Sequence, residues 1–155
     1  MTLQPGEQRA TVLVLDTNIV LDLSVYEDPA TESLRAQLAD VSTRWLATAA
    51  MREELARVLH YPQIAKRLSA CGLPPEAVLQ AFDARVETVA TAAKAPYTCK
   101  DADDQKFIDL AVAHRAALLS KDAAVLCMAK RLATLGVVVT RGWPMASALQ
   151  LVSRP

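Results

Sequence analysis

Acidic residues follow two of the apolar segments that the sequence predicts to be strands. Asp16 comes directly after Thr11–Leu15, and Asp122 comes shortly after Ala117–Ser120. Short, continuous apolar runs of this kind predict strands that are buried on both faces. In an open parallel α/β sheet, ligands bind beyond the carboxyl ends of the strands, so a carboxylate there suits a cation. Each aspartate alone is equally well explained as the N-cap of the helix that follows it.

A glutamate in the helix predicted over Ala49–Leu59 is the third candidate. This helix contains two adjacent glutamates, Glu53 and Glu54. At about 100° per residue, Glu53 points opposite to the apolar face, whereas Glu54 lies on its border. Glu54 could therefore reach a site at the edge of the core, although a border glutamate is more often a solvent-exposed charge.

The helix predicted to begin at Asp101 has three aspartates in its first turn, the others being Asp103 and Asp104. Acids in a first turn favour the helix dipole, and Asp101 with Asp104 resembles a capping box. Three acids exceed what a cap needs. Helical geometry alone does not choose between Asp103 and Asp104, since both lie near the axis of the apolar stripe. The same stripe includes His114, which we expect to be a core histidine rather than a ligand.

Together these acids predict a metal site. Carboxylates gathered in one cleft repel one another and are tolerated mainly when a cation neutralises them. Ligand sets made only of oxygen select Mg²⁺ or Mn²⁺ over zinc or copper. Such a site can activate water and stabilise charge on a phosphate group during in-line displacement. The combination carries this hypothesis, and no single residue does.

The elements that must position these acids alternate between strands and helices. This alternation predicts an α/β sandwich with a mostly parallel sheet, in a single domain over residues 11–152 that follows a flexible tail, residues 1–10. Besides the segments above, strands are predicted at Arg44–Ala47, Val86–Val89 and Val137–Thr140. The other predicted helices are Ile19–Leu23, Thr31–Leu38, Pro62 to about Gly72, Pro75 to about Ala84, Ala123–Leu135 and Pro144–Leu151.

The composition of the 155 residues excludes several classes of protein. Seventeen basic and seventeen acidic residues cancel, so any nucleic-acid contact must come from a local patch. Aromatic residues make up only 5%, which argues against a protein that relies on base stacking. Three cysteines without a C-x-x-C pair predict buried free thiols. The sequence lacks a signal peptide and a long apolar run, which predicts a soluble, cytoplasmic protein without a membrane segment.

Four sequence motifs contain the candidate acids and spread over most of the chain. They are V-L-V-L-D-T-N at 12–18, E-E-L-A-R-V-L at 53–59, D-A-D-D-Q-K-F at 101–107 and L-L-S-K-D at 118–122. In these motifs and their order the sequence resembles the PIN-domain family, in its bacterial branch of toxins from toxin–antitoxin systems. The same branch has Leu-x-Tyr-Pro after the glutamate helix, which here is Leu59 to Pro62.

The resemblance assigns a role to each acid. It implies that Asp16, Glu54, Asp104 and Asp122 are the catalytic and metal-binding acids, since the family spacing favours Asp104 as the third. Thr17 and Asn18 would support Asp16 through hydrogen bonds. Ser120 stands where the family usually has Thr, which keeps the hydroxyl, and Gln105 replaces a frequent acid. Asp103 and Asp22 are auxiliary candidates.

The resemblance also implies a fold and an activity. The fold would be a three-layer α/β/α sandwich, and the activity Mg²⁺- or Mn²⁺-dependent cleavage of RNA phosphodiesters. An antitoxin partner that covers the acidic cleft and a homodimer are further implications. Near the motifs, basic residues could hold RNA phosphates, although scattered solvated charges are the simpler interpretation of each. These residues are Arg52, Arg57, Lys106 and Lys121.

Two alternatives remain. A phosphatase of the haloacid-dehalogenase type also has an Asp after its first strand, but it needs a second Asp at position 18, where this chain has Asn18. A PIN relative that binds nucleic acid without cleaving it is the stronger alternative. The presence of all four acids argues against it.

Overall fold

Five parallel strands form one sheet in the computed structural model, which describes residues 10–143. The order across the sheet is β3-β2-β1-β4-β5, so the first strand lies at the centre. Every pairing of these strands is parallel. The strands are β1 Thr11–Leu15, β2 Thr43–Ala47, β3 Glu87–Thr88, β4 Ala117–Leu119 and β5 Val139–Thr140.

Helices connect the strands, as parallel pairing requires. The arrangement confirms the predicted α/β sandwich. The α-helices of residues 10–143 are α1 Thr17–Ser24, α2 Glu32–Leu38, α3 Ala49–Val58, α4 Pro62–Cys71, α5 Pro75–Arg85, α6 Gln105–His114, α7 Ala123–Leu126 and α8 Ala129–Ala133. Short 3₁₀ turns precede α2, at Pro29–Thr31, and α6, at Ala102–Asp104.

The core is aliphatic and centred on β1 and β4. Leu13, Val14, Leu118 and Leu119 are fully buried, in agreement with strands covered on both faces. Aromatic packing contributes locally, where the rings of Trp45 and Phe82 meet edge to face at 5.4 Å. The central strands are therefore rigidly packed up to their carboxyl ends.

Several elements differ from the sequence-based prediction. The predicted helix Ala123–Leu135 is divided into α7 and α8, because Cys127 and Met128 interrupt it. The helix predicted from Asp101 begins instead with a 3₁₀ turn. The expectation of a core His114 is wrong, since the residue is exposed at the end of α6. There the chain turns away through Arg115, which has a left-handed conformation with φ 50°.

The cysteine prediction is only partly right. All three thiols are free, but only Cys99 is buried, while Cys71 and Cys127 are exposed at or just after helix ends. Within residues 10–143, no helix combines the length and the apolar character that crossing a membrane requires. The predicted helix Pro144–Leu151 and positions 1–9 of the predicted tail lie outside the described residues. The predicted domain bounds therefore stay a prediction.

Replacement of a buried leucine in β4 should destabilise the whole fold. Leu118 is fully buried between β1 and β5. We expect Leu118→Ala to lower the free energy of unfolding by about 2–5 kcal/mol, because the lost burial leaves a cavity. Urea denaturation followed by circular dichroism measures this quantity. The control Val41→Ala, at a fully exposed position, should change it by less than about 0.5 kcal/mol. Equal effects of the two substitutions would contradict the central position of β4.

Candidate metal centre

The carboxyl ends of β1 and β4 lie side by side. Leu15 pairs with Leu119 in the register of these strands, and the backbone N–H of Asp16 donates to the carbonyl of Leu119 at 3.0 Å. The residues that follow both strands therefore share one edge of the sheet. The structure brings Asp16 and Asp122 to this edge, as the strand pattern predicts.

Asp16 is held by two donors. One carboxylate oxygen, Oδ1, accepts from the backbone N–H of Ile19 at 3.0 Å, which makes Asp16 the N-cap of α1. The other oxygen, Oδ2, accepts from the Ser120 hydroxyl. Burial raises the pKa of Asp16, against the lowering effect of the hydrogen bonds from Ser120 and Ile19. Asp16 therefore caps α1 and also lies at the candidate site, so the two interpretations of this residue are compatible.

Ser120 links the two aspartates. It is fully buried, and its hydroxyl oxygen also accepts from the backbone N–H of Asp122 at 3.1 Å. Asp122 in turn caps α7, where its Oδ1 accepts from the N–H of Ala124 at 2.9 Å. A hydroxyl at position 120 therefore fixes Asp16 relative to the backbone that carries Asp122.

Asp104 faces Asp122 from the 3₁₀ turn before α6. One oxygen each from Asp101, Asp104 and Asp122 lies within 4.8 Å of the other two. Asp104 Oδ2 is buried and has no hydrogen-bond partner within residues 10–143. Burial, followed by the Asp122 carboxylate and the charges of Asp101 and Asp16, raises the pKa of Asp104 to about 7. An unpartnered buried carboxylate oxygen is costly, so it points to a ligand.

The structure separates the two aspartates that helical geometry leaves open. Asp103 is exposed, and its backbone N–H donates to Asp101 Oδ1 at 2.9 Å. Asp101 therefore does cap this turn, and it also belongs to the cluster with Asp104. The sequence analysis interprets Asp101 as a capping residue. The feature of the sequence that could have placed it in the cluster is its position in the same turn as Asp104.

Glu54 lines the same cleft but lies outside the aspartate cluster. Its Oε2 accepts from the Thr17 hydroxyl, and its Oε1 accepts from Lys106 Nζ at 2.8 Å. Both oxygens thus have a donor, unlike Asp104 Oδ2, which has none within residues 10–143. The cleft has a volume of about 220 Å³ and also contains the exposed Asn18. Its apolar side is a feature that the sequence motifs did not indicate, and it consists of Leu21, Val58, Tyr61, Ile64 and Phe107.

Three of the four basic candidates for phosphate contact are paired with carboxylates. Lys106 forms an ion pair with Glu54, and Lys121 forms one with Asp22, an auxiliary candidate. Arg52 binds the exposed Asp83 at 2.7 Å. Arg57 is exposed in the last turn of α3. The positive charges of Arg52, Lys106 and Lys121 are therefore already balanced by carboxylates of the same chain.

The donor set fits a hard divalent cation. Asp101, Asp104 and Asp122 offer only oxygen atoms, at mutual distances that one ion can bridge. Asp16 is adjacent, since its charge is among those that raise the pKa of Asp104. A cation would offset the repulsion among these groups and supply the partner that Asp104 Oδ2 lacks.

Comparisons with known proteins concern the sequence and the fold of the chain. The family model described as PIN domain matches residues 12–124. Among curated proteins, none matches this sequence. One similar solved structure is that of VapBC2 from Rickettsia felis bound to a DNA fragment from their promoter. The match has a TM-score of 0.57 and 15% identity, and it covers 86% of this chain and 100% of that chain. At this identity the similarity concerns the fold.

The metal-free protein should become less stable as the pH rises through neutrality. The pKa of Asp104 is about 7 in the folded state against an ordinary value of 3.8, so between these values the folded state binds more protons than the unfolded state. The stabilisation is complete below about pH 4 and is lost as the pH rises through about 7. In EDTA, the melting temperature should therefore fall from about pH 5 to about pH 8, and Asp104→Asn should flatten this dependence.

The control for this dependence is Asp83→Asn. Its hydrogen bond with Arg52 lowers the pKa of Asp83, so its titration lies outside this pH range. The control protein should keep the wild-type dependence on pH. A wild-type melting temperature that rises over the same range would contradict the electrostatic description of the cluster.

Proposed function

The chain belongs to the PIN domain family, and on that premise we propose that it is a ribonuclease that depends on Mg²⁺ or Mn²⁺. The observation that carries the proposal is the buried, unpartnered Oδ2 of Asp104 beside Asp101 and Asp122. An acidic cluster of this kind is unfavourable by itself and becomes favourable when a cation binds. The resemblance of the motifs to those of RNA-cleaving PIN domains supports RNA as the substrate.

The aspartates would hold the cation. Asp101, Asp104 and Asp122 would be ligands, since one oxygen of each lies within 4.8 Å of the other two, and Asp16 lies next to them. When bound, a divalent cation polarises the phosphate and stabilises the charge that develops on it. The pKa of Asp104 in the metal-free protein is about 7, so near pH 7 this group is only partly ionised, and cation binding would release the proton from the protonated fraction.

The remaining polar residues orient the site. Ser120 and the Ile19 N–H prevent Asp16 from rotating away, because each holds one of its oxygens. Thr17 and Lys106 do the same for Glu54 in the same cleft. Each Glu54 oxygen keeps a lone pair, so Glu54 can accept a hydrogen bond from the attacking water. Preorganised groups of this kind reduce the reorganisation that the reaction requires.

The two alternatives are weaker than this proposal. A phosphatase of the haloacid-dehalogenase type would need a general acid at position 18, where an exposed Asn18 stands. A silent binding relative would have no need to keep a buried carboxylate oxygen without a partner. The argument against a silent relative assumes that a cation binds at the aspartates, and RNA cleavage with and without metal tests it directly.

The proposal extends to a toxin of a toxin–antitoxin pair. The motifs resemble those of the toxin branch, and the VapBC2 structure supplies a similar fold. An antitoxin would cover the acidic cleft, and an Arg or Lys from it would meet the aspartate cluster in place of the cation. The homodimer and the cytoplasmic location stay predictions from the sequence.

Purified protein should cleave a mixed RNA pool with Mn²⁺ or Mg²⁺ and should be inactive in EDTA. Asp16→Asn and Asp104→Asn should each slow cleavage roughly 100-fold or more, because each removes a charged oxygen from the cation's surroundings. Glu54→Gln should also slow it, while Glu53→Gln on the same helix should not. Initial rates from labelled RNA on denaturing gels measure the effects.

A loss of cleavage counts as a catalytic effect only when the variant is as fully folded as the wild type. Each variant should be compared at a temperature where circular dichroism shows it fully folded, and Asp83→Asn should retain wild-type activity. If folded wild-type protein leaves the RNA intact with either metal, the nuclease proposal is wrong and the silent relative is favoured.

Induced expression in a bacterial host should arrest growth, because uncontrolled RNA cleavage stops translation. Asp104→Asn should relieve the arrest at the same protein level, since the nuclease centre would lack one ligand. Culture density together with protein quantity on immunoblots measures this effect. Equal growth arrest by wild type and Asp104→Asn would contradict a toxin that acts through this site.

A further inference from the structure

The cleft has two chemically different walls. One wall carries Asp16, Thr17, Asn18, Glu54 and Asp104, which the proposed reaction uses. The other wall is apolar and has no role in that chemistry. Its members are Leu21, Val58, Tyr61, Ile64 and Phe107.

Tyr61 is the accessible part of the apolar wall. Leu21, Ile64 and Phe107 are buried with at most 8% of their surface exposed, whereas Tyr61 is 49% exposed. Within residues 10–143, the other exposed large apolar side chains are Tyr26 and Val41. Neither of them lines this cleft. The ring therefore offers a free aromatic face above an apolar floor.

The backbone of Tyr61 is fixed. Its N–H donates to the Val58 carbonyl at 3.0 Å, and its own carbonyl accepts from the N–H groups of Ile64 and Ala65 at 3.0 and 2.8 Å. It precedes Pro62, the first residue of α4, and a residue before proline is restricted to extended conformations. An aromatic side chain on a rigid backbone loses little conformational entropy on binding.

The segment that carries Glu54 leads directly to this ring. Glu54 and Val58 lie one turn apart on α3, and Tyr61 follows three residues after the helix ends at Val58. All three side chains line the same cleft. A phosphate at the acids thus places the neighbouring nucleoside near the apolar wall.

We propose that Tyr61 is the stacking platform for the nucleobase adjacent to the cleaved phosphodiester. The inference rests on the proposed nuclease function and adds to it the residue that holds this base. A base in single-stranded RNA is free to stack on an aromatic ring, whereas a base in a duplex is held by its neighbours. The low overall aromatic content does not oppose a single ring at the site.

A protein segment is the other occupant that an apolar wall could take. The continuity of the wall with the carboxylates favours a nucleotide, because phosphate and base occur together in every nucleotide. A stacked base also explains why the ring is exposed while the aliphatic residues around it are buried. The protein segment becomes an outcome of the test.

Binding is measured first, without cleavage. Asp104→Asn protein is titrated into a short single-stranded RNA that carries the fluorescent base 2-aminopurine, and stacking on Tyr61 should quench the fluorescence. Adding Tyr61→Leu should weaken binding roughly tenfold or more and remove the quenching. Tyr61→Phe keeps the ring and should bind as before. Tyr26→Leu removes an exposed tyrosine outside the cleft and should also bind as before.

Kinetics of the metal-loaded protein give the second measurement. Stacking that is equal in the ground state and the transition state raises KM when it is lost and leaves kcat nearly unchanged. Tyr61→Leu should therefore raise KM for single-stranded RNA. Substrates with an abasic residue at each position in turn should include one for which wild type and Tyr61→Leu no longer differ.

The outcomes separate this inference from the nuclease proposal. Tyr61-dependent quenching without cleavage by any metal would refute the nuclease and keep the stacking platform. Cleavage with equal RNA affinity in wild type and Tyr61→Leu would keep the nuclease and overturn the platform. RNA binding unchanged by Tyr61→Leu, together with loss of a co-purifying protein, would overturn it in favour of a protein docking wall. Absence of RNA binding by the intact protein would overturn it as well.

Discussion

The parallel register between β1 and β4 is the constraint on which the candidate site depends. The N–H of Asp16 is bonded to the carbonyl of Leu119, so the polar residues after both strands emerge at one level. A shift of one residue would turn Ser120 away from Asp16, to the other face of the sheet. The close packing around the fully buried Leu118 and Leu119 opposes such a shift. The aliphatic core thus determines the geometry of the acids.

Charge compensation around the candidate site is uneven. Lys106 pairs with Glu54 and Lys121 pairs with Asp22, so these acids are stabilised by the chain itself. Asp16 is stabilised by neutral donors, the Ser120 hydroxyl and the Ile19 N–H. Among residues 10–143, Asp104 receives neither kind of partner at its Oδ2. The zero net charge of the protein therefore does not extend to the aspartate cluster, where negative charge accumulates.

The sequence predicts much of the fold because its signals are local. Apolar runs predict β1 and β4. Thr48 caps α3 and Asp122 caps α7, and Gly72 ends α4 in a left-handed conformation. The break between α7 and α8 is not visible in this way, because the buried Val125, Met128 and Leu132 keep a helical spacing across it. The exposure of His114 depends on the turn at Arg115, which the stripe does not encode.

The candidate site is predicted in outline for the same reason, and its details depend on tertiary contacts. An α-helical wheel leaves the choice between Asp103 and Asp104 open, since both lie near the axis of the apolar stripe. The chain forms a 3₁₀ turn there, so the side chains point in directions that the wheel does not describe. The ion pairs of Lys106 and Lys121 join residues far apart in sequence, so proximity to a motif suggested phosphate contacts instead. The apolar wall likewise combines α1, α3, α4 and α6, and no single segment reveals it.

One helix connects the chemistry of the cleft with its apolar wall. Glu54 lies in the middle of α3, and Tyr61 follows where the chain turns into α4. The buried Leu55 and Leu59 hold this helix against the core between them. Any tilt of α3 would move Glu54 relative to the aspartates and Tyr61 relative to the cleft floor at the same time. Packing of α3 therefore sets both the position of Glu54 in the cleft and the space that is left beside Tyr61.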